Sequence, residues 1–164
     1  MRLLIQRVSR ARVEVEGACA RQVVGQIGQG LLVLAGFGKA DTLALPGSPP
    51  WTALCAKLLD LRIFPDGAPD GAGKLNLSLK DTGGGLLLVS QFTLYADTRR
   101  GRRPSFSSAA TPEVARALYE RLAADLAASA PGAFAQGVFG AEMLLDFVNW
   151  GPVTILLDSA DYSG

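Results

Sequence analysis

Apolar and polar residues alternate in the opening stretch of the chain, with Val13 and Val15 on one side and Arg12, Glu14 and Glu16 on the other. This period-two pattern predicts a half-buried strand that turns at Gly17 into a second strand, Arg21 to Ile27. Past Gly28-Gln29-Gly30, the run Leu31 to Phe37 is apolar and suits a central strand covered on both faces. Asp41 to Pro50 carries three prolines and a glycine and reads as a surface loop. Trp51, Leu54, Leu58 and Leu61 then recur at helical spacing, which predicts an amphipathic helix reaching about Arg62.

Pro65 to Gly73 is rich in Gly, Pro and Asp, as an exposed loop would be. Leu75 to Lys80 alternates like a strand. Gly83-Gly84-Gly85 turns the chain into a buried strand expected from Leu86 to Leu94, which delivers Ser90, Gln91, Phe92 and Thr93 to its C-terminal end. Thr111-Pro112-Glu113 has the order of a helix start, with Thr as N-cap, Pro first and an acid in the first turn. That helix should run to about Ser129 and stop at Pro131-Gly132. Two closing strands, about Glu142 to Val148 and Val153 to Asp158, are expected to flank a turn at Gly151-Pro152.

A chain of 164 residues is long enough for one core without disulfides or a structural metal. Its apolar runs fall well short of the roughly 20 residues that span a bilayer, so no membrane partner is expected. The N-terminal stretch reads as a first strand rather than a signal peptide, and the expected location is cytoplasmic. Cys19 and Cys55 lack metal or redox spacing and are expected as buried free thiols. Asp66, Asp70 and Asp81 lack the dense spacing of a calcium loop, and neither metal nor cofactor is expected. Gly28-Gln29-Gly30 lies between strands, so it is no phosphate-binding loop.

The chain contains no histidine. Ser-His-Asp and Cys-His nucleophile systems, the commonest zinc sites and an imidazole base are therefore all excluded. Ser90 to Thr93 offers hydroxyls, an amide and backbone N–H groups that can hold a carbonyl oxygen, although an ordinary alternating strand would show the same residues. Asn149 to Thr154 is either a plain tight turn or, with a cis Gly151-Pro152 bond, a rigid base aiming consecutive carbonyl oxygens one way. Arg99, Arg100, Arg102 and Arg103 can contact phosphates, or form a solvated loop paired with nearby acids. The net charge of +1 argues against whole-molecule steering to nucleic acid, not against a local patch.

These stretches resemble the D-aminoacyl-tRNA deacylase family along nearly the whole chain. The likeness starts at Leu4 to Val8 and Gly28 to Leu34, continues through Leu61 to Phe64 and Leu75 to Ser78, and includes Ser90 to Phe106. It ends with Gly137 to Met143 and Asn149 to Thr154. The resemblance implies an α/β fold: a single three-layer domain over residues 1–164, with packed β-sheets and helices on one side. It also implies a homodimer acting on D-aminoacyl-tRNA, and on tRNA mischarged with glycine, in which the Gly-Pro turn of one subunit enters the other's pocket. Ser90, Gln91, Phe92 and Thr93 would line the catalytic site, and Gly151 and Pro152 would select chirality. Arg7 would brace that turn, Met143 would line the pocket and Asn149 would support them. The Leu43 to Pro50 loop and Trp150, where a small or acidic residue is expected, depart from the family pattern. The other class of function open to this chain is a non-catalytic nucleic-acid-binding module built on the Arg99 to Arg103 loop.

Overall fold

The computed structural model describes residues 1–17, 20–67 and 73–162. Cys19 and Asp70 lie outside the described residues. Strands β1 (Arg2–Glu16), β2 (Arg21–Ile27), β3 (Gly30–Gly36), β6 (Gly85–Ser90), β7 (Phe134–Gln136) and β8 (Met143–Asp158) form one mixed sheet. Phe64–Pro65 (β4) and Leu75–Leu77 (β5) make a separate two-stranded pair. The helices are α1 (Pro49–Asp60), the short α2 (Leu79–Thr82) and α3 (Pro112–Ser129).

Strand β3 pairs antiparallel with β1 and parallel with β6, and both of its faces are covered. Its odd-numbered Leu31, Val33 and Ala35 join Leu86 and Leu88 of β6 against Leu54 and Leu58 of α1 and Leu118, Leu122 and Leu126 of α3. Its even-numbered Leu32 joins Leu87 and Val89 with Val8, Ala11 and Val13 of β1 and Ile27 of β2. The second cluster holds no helical residue, because there the sheet curls over on itself. Three layers result, with helices on one side only. Each fully buried Leu or Val in these clusters contributes roughly 1.5–3 kcal/mol relative to an exposed one.

Strand β1 serves both clusters by changing face. Leu3 and Ile5 point to the helices, whereas Val8, Ala11 and Val13 point into the curled sheet. The switch falls where pairing with β8 slips between Val8 and Arg10. A second slip has the opposite sense: β1 advances only from Gln6 to Val8 while β8 runs from Thr154 back to Asn149. The surplus residues of β8 bulge out of the ladder and carry Gly151 and Pro152.

Several boundaries differ from those expected. The two closing strands are one strand interrupted by that bulge. The strand after Gly85 ends at Ser90, and Phe92–Tyr95 forms a 3₁₀ turn instead of continuing to Leu94. Leu75 to Lys80 splits into β5 and α2, because Ser78 and Asp81 form a capping box that starts a helix. α1 begins at Pro49, its N-cap Ser48 accepting from the Trp51 N–H. Thr111 occupies the N-cap position of α3, but its side chain makes no capping bond.

Candidate active site

The C-terminal ends of the parallel strands β3 and β6 open beside the first turn of α3, a place where α/β sheets commonly bind ligands. A cavity of about 490 Å³ lies there. Ser90, Gln91 and Phe92 form one wall, and Met143 and Leu145 of β8 another. Gly36, Phe106, Pro112, Ala115 and Phe139 complete much of the lining. Among the described residues, none that lines it carries an ionisable side chain.

The 3₁₀ turn determines what the wall can do. Its first N–H groups have no acceptor within the turn. Gly36 lets the turn approach β3, since a Cβ there would lie 2.7 Å from the Gln91 carbonyl and 3.1 Å from Leu94 Cβ. The positive end of α3 adds potential favourable to negative charge, because Pro112 and Ala115 lie on the lining. Thr93 is exposed and outside the lining, and its hydroxyl accepts from the Gln91 side-chain amide.

Two arginines of β1 hold backbone turns by the same device. Arg2 donates from Nη1 to the Leu94 carbonyl at 2.8 Å and from Nε to Asp158 at 2.7 Å, with its guanidinium 4.5 Å from the Tyr95 ring centroid. Burial first, then the charges of Asp41 and Asp158, push the Tyr95 hydroxyl pKa up. The Asp158 bond raises the Arg2 pKa despite burial. Burial pushes the Asp158 carboxyl up, but bonds from Arg2 and the Ala160 N–H outweigh it, and the net shift is downward.

Arg7 donates from Nε to the Trp150 carbonyl at 2.7 Å and from Nη1 to the Ile63 carbonyl at 2.5 Å. Its guanidinium lies 4.4 Å from the Trp150 ring centroid, and burial lowers its pKa. Trp150 packs inward toward Phe64, at 6.4 Å between centroids, and leaves Gly151 and Pro152 exposed. Asn149 closes the bulge by accepting from the Val153 N–H at 2.9 Å and donating to Thr154 Oγ1 at 3.0 Å. The Gly151–Pro152 bond is cis. Gly151 has φ +136°, and a Cβ on it would sit 2.7 Å from Arg7 Nη2, so no side chain fits.

Of the residues singled out in the sequence, Ser90, Gln91, Phe92 and Met143 meet at the cavity. Gly151, Pro152, Arg7 and Asn149 form a second constellation on the bulge, and none of them lines the cavity. Gly151 lies eight positions beyond Met143 along β8, roughly 26 Å at full strand rise. Arg99 is held by Asp97 through two side-chain bonds and a backbone bond. Arg100, Arg102 and Arg103 are exposed and form no ion pair among the described residues. The sequence did not single out Phe106, Phe139, Arg2 or Tyr95. Only Phe106, an aromatic directly after the arginine cluster, left a local signal.

Cys55 is a free, partly buried thiol whose pKa burial and then Asp125 push up to about 11. Among the described residues no three His, Cys, Asp or Glu side chains gather as metal ligands would. No helix among them is long and apolar enough to cross a membrane.

Residues 4–158 match the family described as D-Tyr-tRNA(Tyr) deacylase. A D-aminoacyl-tRNA deacylase of Solidesulfovibrio magneticus is 59% identical over 100% of this chain and 99% of its own length. One of Nitratidesulfovibrio vulgaris is 56% identical over 98% of this chain and 94% of its own. Among solved structures, a c-Myc DNA unwinding element binding protein matches with a TM-score of 0.81 at 33% identity, covering 96% of this chain and 98% of that one. A probable eukaryotic D-amino acid tRNA deacylase shares the fold, with a TM-score of 0.77 at 22% identity over 95% and 97% of the two chains. With the family match running from the first strand to the last, the chain belongs to the D-Tyr-tRNA(Tyr) deacylase family.

Proposed function

We propose that this protein is a D-aminoacyl-tRNA deacylase, hydrolysing the ester between a D-amino acid, or mischarged glycine, and the terminal ribose of tRNA. The observation that carries the reading is a cavity walled by Ser90, Gln91, Phe92 and Met143 and free of ionisable side chains, in a chain of this family. An aminoacyl ester is already activated, so positioning and stabilisation of the oxyanion are the main demands. Backbone N–H groups at the start of the 3₁₀ turn meet the developing oxyanion. Water adds to the ester carbonyl, and the tetrahedral intermediate collapses with the ribose oxygen leaving. The vicinal ribose hydroxyl assists the proton movements. Free amino acid and tRNA result. Thr93 ranks second as a nucleophile, because no base adjoins it and its hydroxyl already accepts from Gln91.

Chirality is read by Gly151 and Pro152, held from behind by Arg7 and Asn149. Within one subunit that turn is too far from the cavity, so the working unit is a homodimer in which each turn enters the other subunit's cavity. The outer edge of β8, which among the described residues pairs with β1 alone and exposes Leu144, Val148 and Leu156, supports such an association. A roughly ten-thousandfold preference for D substrates corresponds to about 5.5 kcal/mol, within reach of a clash against a braced backbone. Arg100, Arg102 and Arg103, with Arg99 fixed on Asp97, contact tRNA phosphates. The chain works as one domain over 1–164, in the cytoplasm.

The test is hydrolysis of matched D-Tyr-tRNA and L-Tyr-tRNA with EDTA present. Cleavage of the D form alone is expected; cleavage of neither by intact dimer ends the deacylase reading, and cleavage of both ends the Gly-Pro filter. Thr93→Ala, assayed alongside, should retain most activity. A second reading, a non-catalytic nucleic-acid-binding module, draws on the arginine loop and the name of the DNA-element-binding relative. Binding with steep salt dependence and no ester cleavage would favour it.

A further inference from the structure

Two aromatic rings stand at the lip of the cavity without being buried by it. Phe92 and Phe106 meet edge to face at 4.9 Å between centroids, yet remain 56% and 40% exposed. Just outside them, Asp97 and Ser105 exchange two backbone hydrogen bonds of 2.8 and 2.9 Å, which project residues 98–104 as a loop next to Phe106. Arg99 is committed to Asp97, while Arg100, Arg102 and Arg103 have no ion pair among the described residues. From the cavity outward the surface therefore runs from an uncharged pocket to an exposed aromatic pair and then to unpaired guanidinium groups.

A cavity of about 490 Å³ is of the size that takes one drug-sized ligand, the scale of a single aminoacyl nucleoside. The polynucleotide attached to that nucleoside has to leave across the rim. Single-stranded nucleic acid is held by this pairing of chemistries, bases stacked on aromatic faces and phosphates tracked by cations. We propose that Phe106 is a stacking platform for the base of the nucleotide immediately preceding the charged one, with the arginine loop on the adjoining phosphates. The proposal rests on the deacylase reading only in requiring an RNA 3′ end to enter the cavity. Stacking of this kind tolerates any base, so it adds affinity for the RNA end common to all substrates without selecting among them. Phe92 supports the ring of Phe106 from its edge and keeps its own backbone on the cavity wall.

The experiment compares two substrates that differ only in the nucleotides upstream of the reacting one, D-Tyr-tRNA and D-tyrosyl-adenosine. Phe106→Leu should raise KM for D-Tyr-tRNA about tenfold with kcat within about twofold, and raise KM for D-tyrosyl-adenosine, which meets the ring only as cavity lining, by no more than about twofold. Phe106→Tyr, which restores the ring, should behave as the native protein. Equal KM shifts on both substrates would assign the ring to the cavity itself and overturn the proposal, as would no shift on either. If the native protein cleaves neither substrate, the deacylase reading fails separately, and the platform is tested by binding of the trinucleotide rCpCpA. Weaker binding by Phe106→Leu than by the native protein and Phe106→Tyr supports the platform; equal affinities overturn it.

Discussion

Arg2 and Arg7 leave the same strand and make the same set of contacts, a donated bond to a turn carbonyl, a second tie to another segment and an aromatic ring under the guanidinium. Their surroundings differ. Arg2 is half-exposed and shares its charge with Asp158, whereas Arg7 is 5% exposed and, among the described residues, hydrogen-bonded to neutral carbonyls alone. A buried cation without a countercharge is held only where geometry is fully satisfied, and it leaves costly orphans when removed. The Gly-Pro turn is thus fixed by an all-or-none brace, and the cavity turn by an ion pair that solvent and acid can reach.

The comparison breaks most visibly at the buried end. Arg7→Ala strands the Trp150 and Ile63 carbonyls and removes the cation from the Trp150 ring, and it should cost about 3 kcal/mol by chemical denaturation. Under the proposed function, the variant that still folds should lose discrimination between D- and L-Tyr-tRNA before it loses hydrolysis. Arg7→Lys should rescue little, since one ammonium cannot reproduce the two directed bonds.

At the half-exposed end, Arg2→Ala should cost only about 1–2 kcal/mol. Its signature is kinetic: kcat for D-Tyr-tRNA falls about tenfold as the 3₁₀ turn loosens, while rejection of the L form persists. Equal losses of discrimination in both variants would erase the distinction between the braces.

The smallest effect comes from acid. The folded-state pKa of Asp158 is depressed, so the stability it contributes is fully present above about pH 4, the ordinary carboxylate value, and is lost as pH falls through the lower folded-state value. Asp158→Asn should lose that contribution at pH 7 and converge with the native protein on an acid-unfolding curve, where Asp158 is protonated in both states. The brace around Arg7 has no carboxylate bonded to it and should contribute no such component.

Much of the fold was legible because it depends on local pattern. Uninterrupted apolar runs marked β3 and β6 as central, and Pro112 marked the start of α3. The departures arise where pairing decides. The two slips of β1 against β8 exist only in relation to each other, and nothing within Val8 to Arg10 or Asn149 to Thr154 announces them. Phe92-Thr93-Leu94 alternates apolar and polar as a strand leaving the core would, so the 3₁₀ turn was hidden. The site divided the same way. Ser90 to Phe92, Met143 and the Gly-Pro turn were named from the chain, but Arg2, Leu94, Tyr95 and Asp158 converge from positions up to 156 residues apart.

The change of face along β1 has a consequence for errors in folding. A strand displaced by one residue would turn Leu3, Ile5 and Arg7 away from the helices and expose Val13 at the other end. It would also move Arg2 and Arg7 off their carbonyls together. A chain in the wrong register therefore has no half-built site, and a molecule able to cleave esters but blind to chirality does not arise by that route. Under the proposed function, with correctly charged tRNA as the competitor, failing silently does less harm than failing with an active cavity.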